Sequence, residues 1–271
     1  MLAGMLLLAF SGPVWAGAAE TWAAQYDARL TQAAGNDPSG AIAVYETLLA
    51  QMPNTDTMRG DVLYWLGRAR WSAGDSPGAR QSLESALEYR ASKRRARVLL
   101  GRLAVAEKAI RLVPHKSDFR MDVGPWVRGW ERGQETDLTV DDGLSGGVLS
   151  WKTELVNRLD DFIIMGLDTD GDKVTQLSFR VQTDTVETHL RILVEDEEGQ
   201  RWTAPLQIVE VGKWSQVRLQ LATVMPADAP AAEGRNLDLS AVHRVILRDV
   251  TAYHTQDRGK NTIFIDDFEI R

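Results

Sequence analysis

The sequence predicts an α-then-β multidomain protein: a short α-helical repeat segment followed by an antiparallel β-sandwich. Three observations lead there. A Leu-Gly pair recurs 34 residues apart, at Leu66-Gly67 and Leu100-Gly101. Past Asp118 the helical spacing gives way to alternation of apolar and polar residues. The charge also changes sign along the chain. Residues 1–116 carry 14 Lys and Arg against 10 Asp and Glu, whereas residues 117–271 carry 17 against 28. The net charge of −7 therefore divides into a basic first half and an acidic second half, as two units with different surfaces would have.

The chain begins with an apolar run, Met5 to Phe10, broken by Gly12-Pro13 and followed by the small residues Ala16-Gly17-Ala18. This run is too short to span a bilayer and reads as a signal peptide over residues 1–18. An exported protein, periplasmic or secreted, with no membrane span after cleavage, is the expectation. The 271 residues contain no cysteine, which excludes disulfides, thiolate metal sites and cysteine nucleophiles. The four histidines are scattered and never at metal-ligand spacing.

Residues 20–112 read as helical repeats. Gly67 and Ala79 are small enough to let two antiparallel helices approach, and Leu83 and Ala86 fill the groove between them. Gly74-Asp75-Ser76-Pro77 makes the turn, with Pro77 suited to a first helical turn. An echo of this stretch precedes it: Asn36-Asp37-Pro38-Ser39-Gly40-Ala41, followed by Tyr45, Leu48 and Pro53. With the 34-residue period, these positions resemble about two and a half tetratricopeptide repeats, although Arg70 stands where that family usually has an aromatic. The resemblance implies a spacer or a docking element for a protein partner. The basic run Arg90, Lys93, Arg94, Arg95, Arg97 and Arg102 lacks interleaved aromatics, so it reads as a solvated helix face and not as a nucleic-acid site.

Residues 113–117 read as a linker, and residues 118–271 as a two-sheet sandwich or jelly roll. Leu177, Phe179 and Val181 alternate with Ser178, Arg180 and Gln182. Leu190, Ile192 and Val194 alternate with polar neighbours, as do Val217, Leu219 and Leu221. Such period-two runs separated by Asp170-Gly171, Glu198-Gly199, Gly212-Lys213 and Arg258-Gly259 are half-buried antiparallel strands joined by turns. Asp168-Thr169-Asp170-Gly171-Asp172 has the carboxylate spacing of a calcium loop, but its twelfth position is Phe179, so an acidic turn is expected there.

The order of local motifs then resembles a family. Gly129-Trp130 precedes Gly146-Gly147-Val148-Leu149-Ser150-Trp151. There follow Glu198-Gly199 before Trp202, Gly212-Lys213-Trp214 before a strand, Leu237-Asp238-Leu239-Ser240, and Ile263-Phe264-Ile265-Asp266-Asp267-Phe268. This succession resembles the galactose-binding-like jelly rolls that include many carbohydrate-binding modules. The resemblance implies a sugar-binding role and places Trp130, Trp151 and Trp214 in the core. It also implies a structural calcium at Asp267, for which Glu131, Asp141 and Asp142 would supply further oxygens. Alternation puts Asp267 on the face of Ile265, where a buried carboxylate needs a cation or hydrogen bonds. An arginine partner or an exposed acidic pair is the alternative.

Trp202 and Trp126 remain free to be platforms for a pyranose ring. Arg180, Gln182 and Arg191 are expected to share one polar sheet face with Trp202 at its edge, as the ligand-binding set. Two guanidinium forks on one face would suit an acidic polysaccharide. No nucleophile elbow, zinc-protease helix, phosphate loop or dinucleotide fingerprint is present, so a non-catalytic binding protein is expected. The alternatives are a structural envelope adaptor without a sugar site and, less directly, a glycosidase using undistinguished carboxylates.

The first prediction concerns export. Cleavage should fall between Ala16 and Glu20, where small residues follow the apolar run. Mass spectrometry of the exported protein reads the new N-terminus directly, and an intact Met1 in the soluble envelope fraction would rule the signal peptide out.

Overall fold

A computed structural model describes residues 24–25, 27–29, 37–129, 137–141, 147–156, 159–227 and 236–271. The expected signal peptide and its expected cleavage region, together with Trp130, Glu131, Asp142 and Gly146, lie outside the described residues. The chain divides into two compact units after Leu100. Among the described residues, no helix is long and apolar enough to cross a membrane.

The first unit is helical. Its elements are α1 (Pro38–Gln51), α2 (Arg59–Ser72), α3 (Ser76–Ala86) and the start of α4 (Arg90–Glu107). The two echoing turns use one device. Asp37 caps α1 by accepting from the Gly40 amide at 2.7 Å, and Asp75 caps α3 by accepting from the Gly78 amide at 2.9 Å. Each has a proline in the first turn, where no amide hydrogen is needed. Gly67 is required by contact: a Cβ there would stand 2.6 Å from Leu83 Cγ and 3.1 Å from the Ala79 carbonyl. Arg70, the departure from the aromatic, bonds to the Gly78 carbonyl, Ser82 and Glu46, and so ties α2 to both neighbours.

The second unit begins within α4, at Gly101, and contains a two-sheet antiparallel sandwich. In chain order its strands are β1 (His115–Ser117), β2 (Trp126–Arg128), β3 (Asp137–Asp141), β4 (Val148–Leu155), β5 (Asp161–Gly166), β6 (Gln176–Thr183) and β7 (Thr188–Asp196). They continue as β8 (Arg201–Thr203), β9 (Gln207–Val209), β10 (Ser215–Gln220), β11 (Met225–Pro226), β12 (Val242–Asp249) and β13 (Gly259–Ile270), with a short α5 (Thr251–His254) before the last. One sheet runs β10-β6-β13-β4-β3, with β1 also on β13. The other runs β11-β8-β7-β12-β5-β2, with β9 also on β7. The segment 113–117 is therefore not a linker. His115–Ser117 pair with Phe268–Ile270, and a three-residue strand is too short to show a period in sequence.

The inner faces form one apolar core that includes Trp126, Leu149, Trp151, Phe179, Ile192, Val245 and Phe268. At one end the core gives way to a buried polar layer. Asn261 bonds to Thr183 and Thr188, while Thr153 donates to Asp249 across the two sheets at 3.1 Å. The Thr251 amide and hydroxyl also donate to Asp249. At the acidic turn, the Asp172 amide bonds to the Thr169 carbonyl at 3.0 Å, so Asp168 to Asp172 is the tight turn expected.

The outer face of the second sheet is apolar. Val127, Phe162, Ile164, Leu193 and Ile246 gather there with Val105 from the end of α4. Gly166 admits this approach, since a Cβ would stand 2.7 Å from a Val105 methyl.

Burial raises the pKa of Asp249, opposed by its hydrogen bonds from Thr251 and Thr153 and by His189. The folded chain then keeps a proton that the unfolded chain has lost, so stability falls as pH rises from the unfolded value of about 3.9 through the folded one. Asp249→Asn keeps an acceptor for Thr251 and should flatten this decline, raising the urea midpoint at neutral pH. Parallel profiles for wild type and variant would contradict this account.

Candidate functional site

The outer face of the first sheet is polar and half-open, the opposite of the other. On β6 the inward residues Leu177, Phe179 and Val181 are fully buried, which turns Ser178, Arg180 and Gln182 outward. Register places Gln216 beside Arg180 on one side and Asp266 on the other. Gln182 stands beside Phe264, and Phe264 beside Ser150.

Arg180 is the organising side chain. Its guanidinium carbon lies 4.7 Å from the centroid of the Trp214 ring, a cation–π contact. Its Nη1 is 3.6 Å from both Asp266 and Asp267. The side chain is 38% exposed, so it is held by three partners while remaining at the surface. Trp214, with its ring fixed by this contact, is the aromatic of the site.

The predicted ligand set divides. Arg180 and Gln182 share this face. Arg191 does not: it lies on β7, in the other sheet, paired with Arg248. Strands consecutive in sequence were taken as neighbours, but the chain crosses between the sheets over residues 184–187. Trp202 is not a platform either. It is 3% exposed, pairs with the inward Val194 and belongs inside. Trp126, at 1% exposed, packs edge-to-face on Phe268 at 5.4 Å. Trp214, expected in the core, is the tryptophan that faces out. The alternation of β10 carried the signal: with Val217 and Leu219 inward, Trp214, Gln216 and Arg218 fall on the opposite parity.

The inward direction expected of Asp267 also meets a correction. A bulge interrupts the pairing of β13 with β6 between Asp266 and Glu269, and Asp267 adopts a left-handed backbone with φ of 47°. The bulge shifts the alternation by one, so Phe268 points inward and Asp267 outward, its side chain 48% exposed. It faces Arg180 at 3.6 Å and Lys116 at 4.0 Å, cations in the place a metal would take. Asp141 lies at the end of β3 opposite Val148. Glu131 and Asp142, expected to supply further oxygens, lie outside the described residues, and among those described no three His, Asp or Glu side chains gather as a metal site.

A separate basin of about 740 Å³ is lined by the end of α4 and the segment through β1 to Pro125. Its cations are engaged: Lys108 donates to the Gly124 carbonyl, Arg111 faces Asp168 and Arg120 faces Asp118.

No protein-family model matches the chain, and no curated protein matches it. Solved structures do. A family 11 carbohydrate-binding module of a cellulosomal cellulase of Clostridium thermocellum is 15% identical with a TM-score of 0.43, over 59% of this chain and 94% of that one. The CBM22-1 xylan-binding domain of Paenibacillus barcinonensis Xyn10C is 14% identical with a TM-score of 0.40, over 58% and 92%. An exo-beta-agarase is 14% identical with a TM-score of 0.43, over 58% of this chain but 25% of its own. The sandwich itself is established by its own strand pairing.

Because Trp202 fills the core, Trp202→Ala should cost about 3–5 kcal/mol of stability. Chemical denaturation reads the loss. A near-neutral change would place the ring back at the surface.

Proposed function

We propose that the chain is an exported, non-catalytic carbohydrate-binding protein whose ligand lies on the outer face of the first sheet, with the helical segment as a tetratricopeptide-like dock for a protein. The observation that carries the reading is the Arg180–Trp214 stack, tied to Asp266 and Asp267 beside Gln182. An aromatic ring held in one orientation offers a flat apolar surface to a pyranose, and its ordering is complete before binding. Amides and carboxylates around it accept from and donate to sugar hydroxyls.

The chemistry of this face favours a neutral glycan over an acidic one. The acidic expectation required two free guanidinium forks on one face. Arg191 lies on the other sheet and the fork of Arg180 already faces two carboxylates, which leaves Arg218, exposed on β10 beside Ser178, as a single fork on this face. A uronate approaching Arg180 would meet Asp266 and Asp267, and like charges in contact oppose binding.

Affinity electrophoresis against mixed-linked β-glucan, xylan and polygalacturonate tests the proposal. The wild type should be retarded by a neutral polysaccharide and not by polygalacturonate. Trp214→Ala and Gln182→Ala should each weaken retention, the former by tenfold or more, about 1.4 kcal/mol. Arg191→Ala, on the opposite side of the sandwich, should leave it unchanged. Retardation by none of the three would favour the adaptor reading.

A further inference from the structure

The helical unit holds several buried polar atoms that lack partners among the described residues. Gln25 and Tyr45 are fully buried. Neither amide atom of Gln25, nor the Tyr45 hydroxyl, nor Trp65 Nε1, nor Arg29 Nε finds a hydrogen-bond partner among the described residues. One buried unpartnered group costs about 1–3 kcal/mol, so several in one small unit call for a common cause.

Two arginines flank the Trp65 ring. The guanidinium carbon of Arg29 is 4.4 Å from the centroid of Trp65, and that of Arg68 is 5.2 Å from it. Both charges act on the Tyr45 phenol. Burial pushes that phenol up to about 12 against their pull, so it keeps its proton and remains a donor. Gln25 stands one helical turn before Arg29, on the same face. Among the described residues, neither Arg29 nor Arg68 has a carboxylate within 4.0 Å. Among the described residues, two like charges thus share one indole with no counter-charge in contact, an arrangement that an anion would relieve.

The donor inventory defines the ligand. Two guanidinium forks, a phenol O–H and an indole N–H all supply hydrogens, and planar forks match the two oxygens of a carboxylate. Arg68 is exposed and Trp65 half-buried, which leaves a way in from solvent. The first half of the chain is also the basic one, so its charge complements an acidic segment.

We infer that Arg29 and Arg68, with Trp65 and Tyr45, form a recognition site for a carboxylate on an acidic peptide segment of a partner protein. The partner follows from the docking reading of the helical segment, while the anion site stands on the convergence of donors. It is independent of the sugar site.

The full mature chain, titrated with a hexaglutamate peptide, tests the site by the amide-region NMR signal of the Trp65 indole N–H, assigned through Trp65→Phe. The signal should move saturably, and less at high salt. Arg68→Gln should weaken the interaction about tenfold or more, as loss of a charge-assisted hydrogen bond does. Arg68→Lys should recover part of it. Because Arg68 is exposed, the circular dichroism spectrum of both variants should match wild type. A Trp65 signal unmoved by hexaglutamate, or moved equally in Arg68→Gln, would overturn the site. A signal moved by polygalacturonate or inorganic phosphate but not by hexaglutamate would overturn its assignment to a peptide. Polysaccharide retention reads the sandwich alone, so either reading can fail without the other.

Discussion

The arrangement of the sandwich turns on one buried asparagine. Asn261 accepts at 2.9 Å from the Thr183 hydroxyl and at 3.3 Å from the amides of Thr185 and Val186, and donates at 2.8 Å to Thr188. These groups span the connection between β6 and β7, where the chain leaves one sheet and enters the other. Backbone amides in a turn at the end of a core must find acceptors, and a single side-chain oxygen supplies them here. With the crossover fixed, the outward polar residues of β6, Ser178, Arg180 and Gln182, face one side of the sandwich and Arg191 of β7 the other. The division of Arg180 from Arg191 is a consequence of that connection.

The two outer faces then follow different physics. On the second sheet, Phe162, Ile164, Leu193 and Ile246 would expose a continuous apolar surface, and Val105 of α4 helps to cover it. One buried charge on that side is neutralised at close range: Glu195 lies between Arg201 at 2.8 Å and Arg244 at 2.9 Å. Among the described residues, the first sheet has no apolar cluster of that kind on its outside. Its polar residues stay at the surface but are ordered by each other, which is the property a binding face needs and a merely solvated face lacks.

Much of the architecture was legible from period alone. The switch from helical spacing to alternation, the capped Asp-Pro turns and the inward sets of β6, β7 and β10 are local properties, written within a few residues of where they act. The candidate site was legible only by halves. Arg180 and Gln182 were found because alternation on one strand is local. Arg191 was misplaced because pairing between strands is not, and nothing near residues 184–187 announces a change of sheet. Trp202 was misread for a related reason: a three-residue strand offers no alternation to tell inside from outside. Trp214 could have been assigned by extending the parity of Val217 and Leu219 one step backward, and the family resemblance overrode that simpler reading.

The bulge at Asp267 shows how one backbone irregularity reassigns chemistry. In an unbroken strand Asp267 would follow Ile265 inward, and a carboxylate there would need a metal or an arginine in the core. One inserted residue with φ of 47° moves Phe268 into the core instead, where it meets Trp126, and sets Asp267 at the surface within 3.6 Å of Arg180. The same step therefore completes the apolar core and supplies the second carboxylate that holds Arg180 against Trp214. An arginine so engaged has lost its freedom to seek anions and serves to fix the ring beside it. The face thereby presents an ordered aromatic ring edged by acceptors.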